Sequence, residues 1–395
     1  MRHVRRRPRR HARDRNGQLR RPSGDPRRNE PAERLLAQPP ATEMGVKLEA
    51  NTEWLEALSP WPADGFGLER MQALLAELGD PQLAYAAIHV VGTNGKSTAT
   101  RTVEALLRHE GLLVGATVSP HVRSWAERIT VDGEEADLDA ALARVRPPAE
   151  RLDATQFESI TAAALAEFAS RGVDVAVVEA GLGGRLDATN VVRSRVVLLT
   201  NVGLDHTDVL GQTRAEIARE KLAVARPDSI AVLPNEEFSE LVPGRRIVIG
   251  GAREAAAAFL GRPVGGAPRV QLPGRLERRG DELRDGVHNP DGVRWLLERL
   301  PRESHVVVAS ILFDKDVGAM LALLARAGST FVATTSSSPR ALPASDLALR
   351  AGAYFEHVET VADPVEAVAR AHDLGRPVLV TGSLYLLADL ERAAA

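Results

Sequence analysis

The sequence contains no cysteine. That excludes a disulfide framework, a thiolate metal site and a cysteine nucleophile, and it fits a reducing cytoplasm. No stretch reaches the ~18 uninterrupted apolar residues a membrane-spanning helix needs. The N-terminus opens on arginines that lead into no apolar segment, so neither a membrane span nor a secretory signal is read. What is present is an ordinary soluble balance, 44% hydrophobic and 26% charged, over 395 residues. At roughly 150 residues per domain this length suggests two or three domains.

The net charge of -3 hides two populations. The first 34 residues carry 13 arginines and no lysine against four acidic residues, leaving 37 basic and 49 acidic residues in the remainder. This leader, residues 1–45, mixes Arg with Pro and Gly, has almost no periodic apolar positions and is expected to be disordered. It has no aromatic residue for base stacking, so nucleic acid is not expected as a partner, and Met44 is a candidate true start.

From Val46 the pattern alternates. AAIHVV, VDVAVVEA and RVVLLTNV are apolar runs typical of strands buried on both faces of a parallel sheet. Between them, STATRTVEALLRHEG and ESITAAALAEFASRG read as helices closed by glycine. A second series, HVVVASIL, TFVATT and PVLVTG, follows the loop-like PGRLERRGDELRDG. The fold class is therefore α/β: a P-loop-type doubly wound ATPase domain over residues 46–270, followed by a smaller Rossmann-like α/β domain over residues 271–395.

The richest stretch is Ile88 to Thr98, where a strand, the turn Gly92-Thr93-Asn94-Gly95 and then Lys96-Ser97-Thr98 open a helix. Backbone N–H groups of such a turn cradle phosphate oxygens, the lysine neutralises terminal phosphates and a hydroxyl reaches Mg²⁺. Further on, Glu179 ends a buried strand and enters the glycine-rich segment up to Asn190. A carboxylate there faces the crevice in which doubly wound folds bind ligands. A third strand delivers Leu204-Asp205-His206-Thr207, whose imidazole can complete a hard-cation site. Lys221 follows on a returning helix, and by itself reads as a solvated lysine.

Taken together these motifs resemble folylpolyglutamate synthase/dihydrofolate synthase of the Mur ligase superfamily, from about Gly65 to Leu390. The resemblance runs through Gly67-Leu68-Glu69-Arg70-Met71, Ser119-Pro120-His121, Glu127-Arg128-Ile129, Gln156-Phe157-Glu158, GLGGRLDATN, LDHTDVLG and AREK. It continues in Pro273-Gly274-Arg275, Asp285-Gly286-Val287-His288-Asn289-Pro290, Asp314-Lys315-Asp316, Ser338-Pro339-Arg340 and Gly382-Ser383-Leu384-Tyr385-Leu386. It implies Thr93, Asn94, Gly95, Lys96, Ser97, Thr98, Arg275 and Asp285 as ATP contacts, and Lys96, Lys221 and His288 as catalytic groups. Ser119, Glu179, His206 and a carbamylated Lys221 would hold Mg²⁺, while Gln156, Phe157, Leu186, Asp187 and Ala188 would line the pterin pocket.

The implied activity is ATP-dependent addition of L-glutamate to dihydropteroate or reduced folates by a cytoplasmic monomer with ATP and Mg²⁺ and no membrane partner. Three departures from the family pattern stand out. The phosphate loop lacks the additional glycine after Lys96, Ala252 to Ala255 lacks the amides offered to the nucleotide base, and the stretch between Pro234 and Gln271 is short. The competing readings are a peptidoglycan-type ligase acting on a UDP-linked substrate, and an ATP-binding regulator.

Overall fold

The computed structural model describes residues 50–63, 65–266 and 268–394. The leader and Met44 lie outside the described residues.

Helices α1 (Ala50–Ala57) and α2 (Glu69–Glu77) lead into β1 (Ala86–Val91), α3 (Lys96–His109) and β2 (Val114–Thr117). An antiparallel excursion, β3 (Ile129–Val131) and β4 (Glu134–Glu135), precedes the helical pair α4 (Leu138–Arg151) and α5 (Gln156–Arg171). Next come β5 (Val175–Glu179), β6 (Ser194–Leu199), α6 (Thr207–Leu210), α7 (Arg214–Leu222), β7 (Ile230–Leu233), β8 (Ile247–Ile249) and α8 (Ala252–Leu260). The strands form one sheet in the order β4-β3-β2-β5-β1-β6-β7-β8, parallel apart from the β3 and β4 edge.

A second sheet is built from β9 (Glu277–Arg279), β10 (Glu282–Arg284), β11 (Val306–Ala309), β12 (Thr330–Ala333), β13 (His357–Thr360) and β14 (Val378–Thr381), in the order β13-β12-β11-β14-β10-β9. Helices α9 (Pro290–Leu297), α10 (Val317–Leu324), α11 (Ala344–Ala351), α12 (Pro364–Leu374) and α13 (Leu384–Ala394) accompany it.

The segment PGRLERRGDELRDG is not a loop: it supplies β9 and β10, a hairpin whose second strand runs parallel to β14. Each strand is only three residues long, and of their six residues only Leu283 is apolar and buried, so no alternation was visible in the sequence. Pairing with β14 holds them in place. Among the described residues no helix is long and apolar enough to cross a membrane.

The sequence dictates its helix ends locally. Thr155 and Glu158 form a reciprocal capping box at the start of α5, and Gly172, at φ 63°, closes it. Most of this helix is buried, and Phe168 is fully enclosed. Its ring lies where a Cβ on Gly115 of β2 would be, 2.5 Å from Cδ1. Phe168→Ala is therefore expected to destabilise the protein by about 3–5 kcal/mol, and Gly115→Ala by about 1–3 kcal/mol through overpacking. Urea titration followed by circular dichroism measures both, and a loss below about 1 kcal/mol for Phe168→Ala would contradict this packing.

Central β1 lies between β5 and β6, with Val90 opposite Glu179 on one side and Leu198 on the other. The carboxyl ends of these three parallel strands therefore open onto one crevice, the place where doubly wound sheets bind ligands.

Candidate active site

The loop after β1 is shaped to receive an anion. Gly92 has φ 152°, and a Cβ there would lie 1.9 Å from Thr200 Oγ1; Gly95 caps α3 at φ 79°. The loop is pinned from β6: the Asn94 amide donates to Asn201 Oδ1 (2.8 Å), and Thr200 Oγ1 donates to the Asn94 carbonyl (2.7 Å). Lys96 Nζ donates to the Thr93 carbonyl (3.3 Å) and Lys221 Nζ to the Gly92 carbonyl (2.9 Å).

Two ammonium groups thus converge on a helix N-terminus, where positive charge is already in excess. Neither has an ion-pair partner among the described residues. This is an arrangement that a bound polyphosphate would stabilise. Gly92→Ala is expected to displace the loop and weaken nucleotide binding at least about tenfold while leaving the fold intact, because strain at such positions costs about 1–3 kcal/mol. Titration calorimetry with a non-hydrolysable ATP analogue checks this, and unchanged affinity would mean that the loop has slack.

Glu179 is buried at the end of β5, with Oε1 accepting from Ser97 Oγ (3.1 Å) and Oε2 from the Ser119 amide (3.1 Å). Burial pushes its carboxyl above the ordinary range, against the pull of Lys96. Lys221 is only 4% exposed, which corrects the solvated-lysine reading. Burial, reinforced by the charge of Lys96, brings its ammonium down to about 7. A lysine in that state exposes an unprotonated amine at neutral pH, as carbamate formation requires.

His206 begins α6 at φ 50°, and burial together with the charge of Lys315 brings its imidazole down to about 4. It is therefore neutral at physiological pH and able to act as a ligand. Among the described residues no cluster of three or more His, Asp or Glu side chains stands ready for a metal. The implied set of Ser119, Glu179 and His206 has a single carboxylate. It suits Mg²⁺, which keeps several waters and takes one or two carboxylates beside substrate phosphates, and a carbamate on Lys221 would add a second anionic oxygen ligand.

Loops of the second sheet close over this crevice. His288 donates from Nδ1 to the Gly286 carbonyl (2.9 Å), and burial, then Lys315, brings it down to about 4, so Nε2 is left as an acceptor. Asp285 is buried, and its two oxygens accept from the Leu276 (2.8 Å) and Val287 (3.0 Å) amides. Its carboxylate is thus spent on holding the Arg275 and His288 loops together. Of the remaining phosphate-loop residues, Thr93 exchanges hydrogen bonds with Gly203, and Thr98 is exposed at the first turn of α3.

The acceptor-side residues fall into two groups. Gln156 and Phe157 open α5: Gln156 Nε2 donates to the Leu55 carbonyl (3.1 Å), and the Phe157 ring packs against Gly181. Leu186 is exposed and Ala188 buried. Asp187 is buried and accepts from the Leu182 amide (2.7 Å) and from the amide and hydroxyl of Thr189, whose hydroxyl also meets His89 Nε2 (2.8 Å) in β1. The loop bearing Asp187 is thereby tied to the strand that carries the phosphate loop.

Two family models match this chain: the Mur ligase middle domain over residues 90–239 and the Mur ligase glutamate ligase domain over residues 274–384. The dihydrofolate synthase/folylpolyglutamate synthase of Mycobacterium tuberculosis is 33% identical, over 80% of this chain and 84% of its own. The chain belongs to the folylpolyglutamate synthase/dihydrofolate synthase family. Among solved structures of the family, Escherichia coli FolC in complex with DHPP and ADP superimposes with a TM-score of 0.78 at 28% identity, covering 87% of this chain and 96% of that one. A bifunctional folylpolyglutamate synthase/dihydrofolate synthase with Mn, AMPPNP and L-glutamate bound gives 0.75 at 28% identity, covering 86% and 96%.

In this family member Lys315, part of the Asp314-Lys315-Asp316 motif, has a partner in the other sheet. Lys315 Nζ lies 2.7 Å from Asp205 Oδ1, and both side chains are under 10% exposed. The signal was in the composition. Of 50 basic residues only Lys47, Lys96, Lys221 and Lys315 are lysines, and three of these four converge on the crevice. In a chain that uses arginine almost everywhere, three lysines gathered at one crevice point to a place that suits a compact ammonium.

Proposed function

We propose that the protein is an ATP-dependent ligase that joins L-glutamate to the carboxylate of dihydropteroate or of a reduced folate, releasing ADP and phosphate. The observation that carries the reading is the meeting of the Lys96 ammonium and the buried Lys221 amine at the phosphate loop beside buried Glu179, neither lysine having an ion-pair partner among the described residues. The DHPP, ADP, AMPPNP and L-glutamate held by the relatives support this choice of substrates for the chain.

The acceptor carboxylate attacks the γ-phosphorus of ATP, forming an acyl phosphate and ADP. Lys96 and the N–H groups at the start of α3 hold the phosphates in line and spread the developing charge. The glutamate amine then attacks the acyl carbon and displaces phosphate. His288, neutral and with Nε2 as an acceptor, is assigned the role of receiving an amine proton in that step. Ser119, Glu179, His206 and carbamylated Lys221 would hold Mg²⁺, which when bound supplies positive charge to the phosphoryl group in transfer. Gln156, Phe157, Leu186, Asp187 and Ala188 would line the pterin pocket, with Arg275 and Asp285 on the nucleotide side.

The reading assigns residues 46–270 to nucleotide and acceptor binding and 271–395 to glutamate ligation, in a cytoplasmic monomer. Phosphate release tests it. Glutamate-dependent release is expected with dihydropteroate or tetrahydrofolate and not with a UDP-linked muramoyl peptide precursor. The opposite pattern, or no release, would overturn it.

A further inference from the structure

Lys315 stands in the loop between β11 and α10 of the second sheet, while its partner Asp205 stands beyond β6 in the first. The ion pair is the first link of a continuous polar chain. Asp205 Oδ2 accepts from Asn289 Nδ2 (3.0 Å). The second proton of that amide goes to Asn94 Oδ1 (2.9 Å), and Asn94 Nδ2 donates back to Asn289 Oδ1 (3.1 Å). Asn289 Oδ1 also caps α9 through the Gly292 amide (2.8 Å). Every donor and acceptor of this amide is therefore committed, and its orientation is fixed by having Asp205 on one side and the phosphate loop on the other.

We propose that Lys315 is a positioning residue which, through Asp205 and Asn289, clasps the loops of the second sheet onto Asn94 of the phosphate loop. The clasp sets the distance between His288, next to Asn289 in the chain, and the phosphates cradled by the first sheet. A neutral side chain at 315 would leave Asp205 as a buried carboxylate faced by amide donors and by the neutral imidazoles of His206 and His288, each 3.9 Å away, and an uncompensated charge of that kind is relieved by letting in water, which here means parting the two sheets. Arginine is a poor substitute. The site is 6% exposed, and a guanidinium is bulkier than the ammonium it would replace, while the neighbouring Asp314 is already held by Arg340 (3.1 Å).

The clasp predicts a separation of effects. The phosphate loop keeps its own supports from Thr200 and Asn201, so its share of nucleotide binding should survive while the assembled site, with the Arg275 and Asp285 contacts, is lost. In the full chain, Lys315→Met is expected to lower kcat/KM at least about 100-fold while the Kd of AMPPNP with Mg²⁺ rises less than about tenfold, since only the contacts from the second sheet go with closure. Small-angle scattering with saturating AMPPNP should show a larger radius of gyration than wild type, and trypsin should cut the connection at residues 261–276 faster.

Asp205→Asn should do the same, and the double variant should be no worse than the poorer single one, because both break one chain. If Lys315 acted directly on a substrate, the two losses would multiply and the scattering would not change; either result overturns the clasp. Should Lys315→Met melt several degrees early, Lys315→Gln, which keeps a donor for Asp205 without the charge, carries the same cycle. The kinetic arm rests on the ligase reading. If wild type released no glutamate-dependent phosphate, that reading would fail, and scattering and proteolysis would still decide the clasp.

Discussion

Lys221→Ala is expected to lower turnover at least about a hundredfold, since one missing group at a phosphoryl-transfer centre costs factors of this size or more. An ordinary lysine on a solvated helix face could be replaced with little effect, within about 0.5 kcal/mol. This one is 4% exposed and has its nitrogen against the Gly92 carbonyl, facing the Lys96 charge. Held down to about 7, it is in part a neutral amine at neutral pH, and that form can attack carbon dioxide, forming a C–N bond and releasing a proton. The product carries a negative charge where an ammonium had been.

Activity should therefore fall as pH drops through about 7, because protonation removes the lone pair on which the carbamate depends, and added bicarbonate should slow the decline. In Lys221→Ala the vacated space is open, so formate or acetate in excess should restore part of the turnover. Lys221→Arg should gain nothing from either, since its guanidinium stays charged and fills the space. Steady-state phosphate release with and without the small carboxylates is the measurement, and full activity of Lys221→Ala would remove this residue from the site.

Replacing Lys96 should have an effect at least as large. Lys96→Ala is expected to reduce ATP-dependent turnover by about a thousandfold or more, comparable to the loss of a phosphate-stabilising arginine. The fold should persist, because the Lys96 side chain is only half-buried and its one hydrogen bond is to the Thr93 carbonyl. A melting temperature close to wild type together with absent phosphate release would place the loss in the chemistry. Near wild-type turnover would show that the helix N-terminus and the metal suffice without the lysine.

Much of this architecture could be read along the chain. The run AAIHVV became β1 residue for residue, the glycine-bounded segments became α3 and α5, and the phosphate-loop turn stands where its spacing placed it. These features are local. An apolar run buried on both faces, a left-handed glycine after a helix and a turn of fixed length each carry their cause within a few residues. The weak strands β9, β10 and β13 could not be read this way, because sheet partners distant in sequence, not their own composition, make them strands.

The site divides along the same line. Residue types and spacing marked Lys96, Glu179 and His206, and the family resemblance His288, as reactive groups, but not their protonation. Burial and neighbouring charge, which exist only once the sheets are packed, make Lys221 a near-neutral amine and both histidines neutral. The sequence by itself determined which groups are present and on which turns they sit, because those are properties of covalent order and short-range geometry. Only the tertiary structure decided that Lys315, 110 positions from Asp205, closes a chain of hydrogen bonds to the phosphate loop, because that contact depends on how two sheets meet.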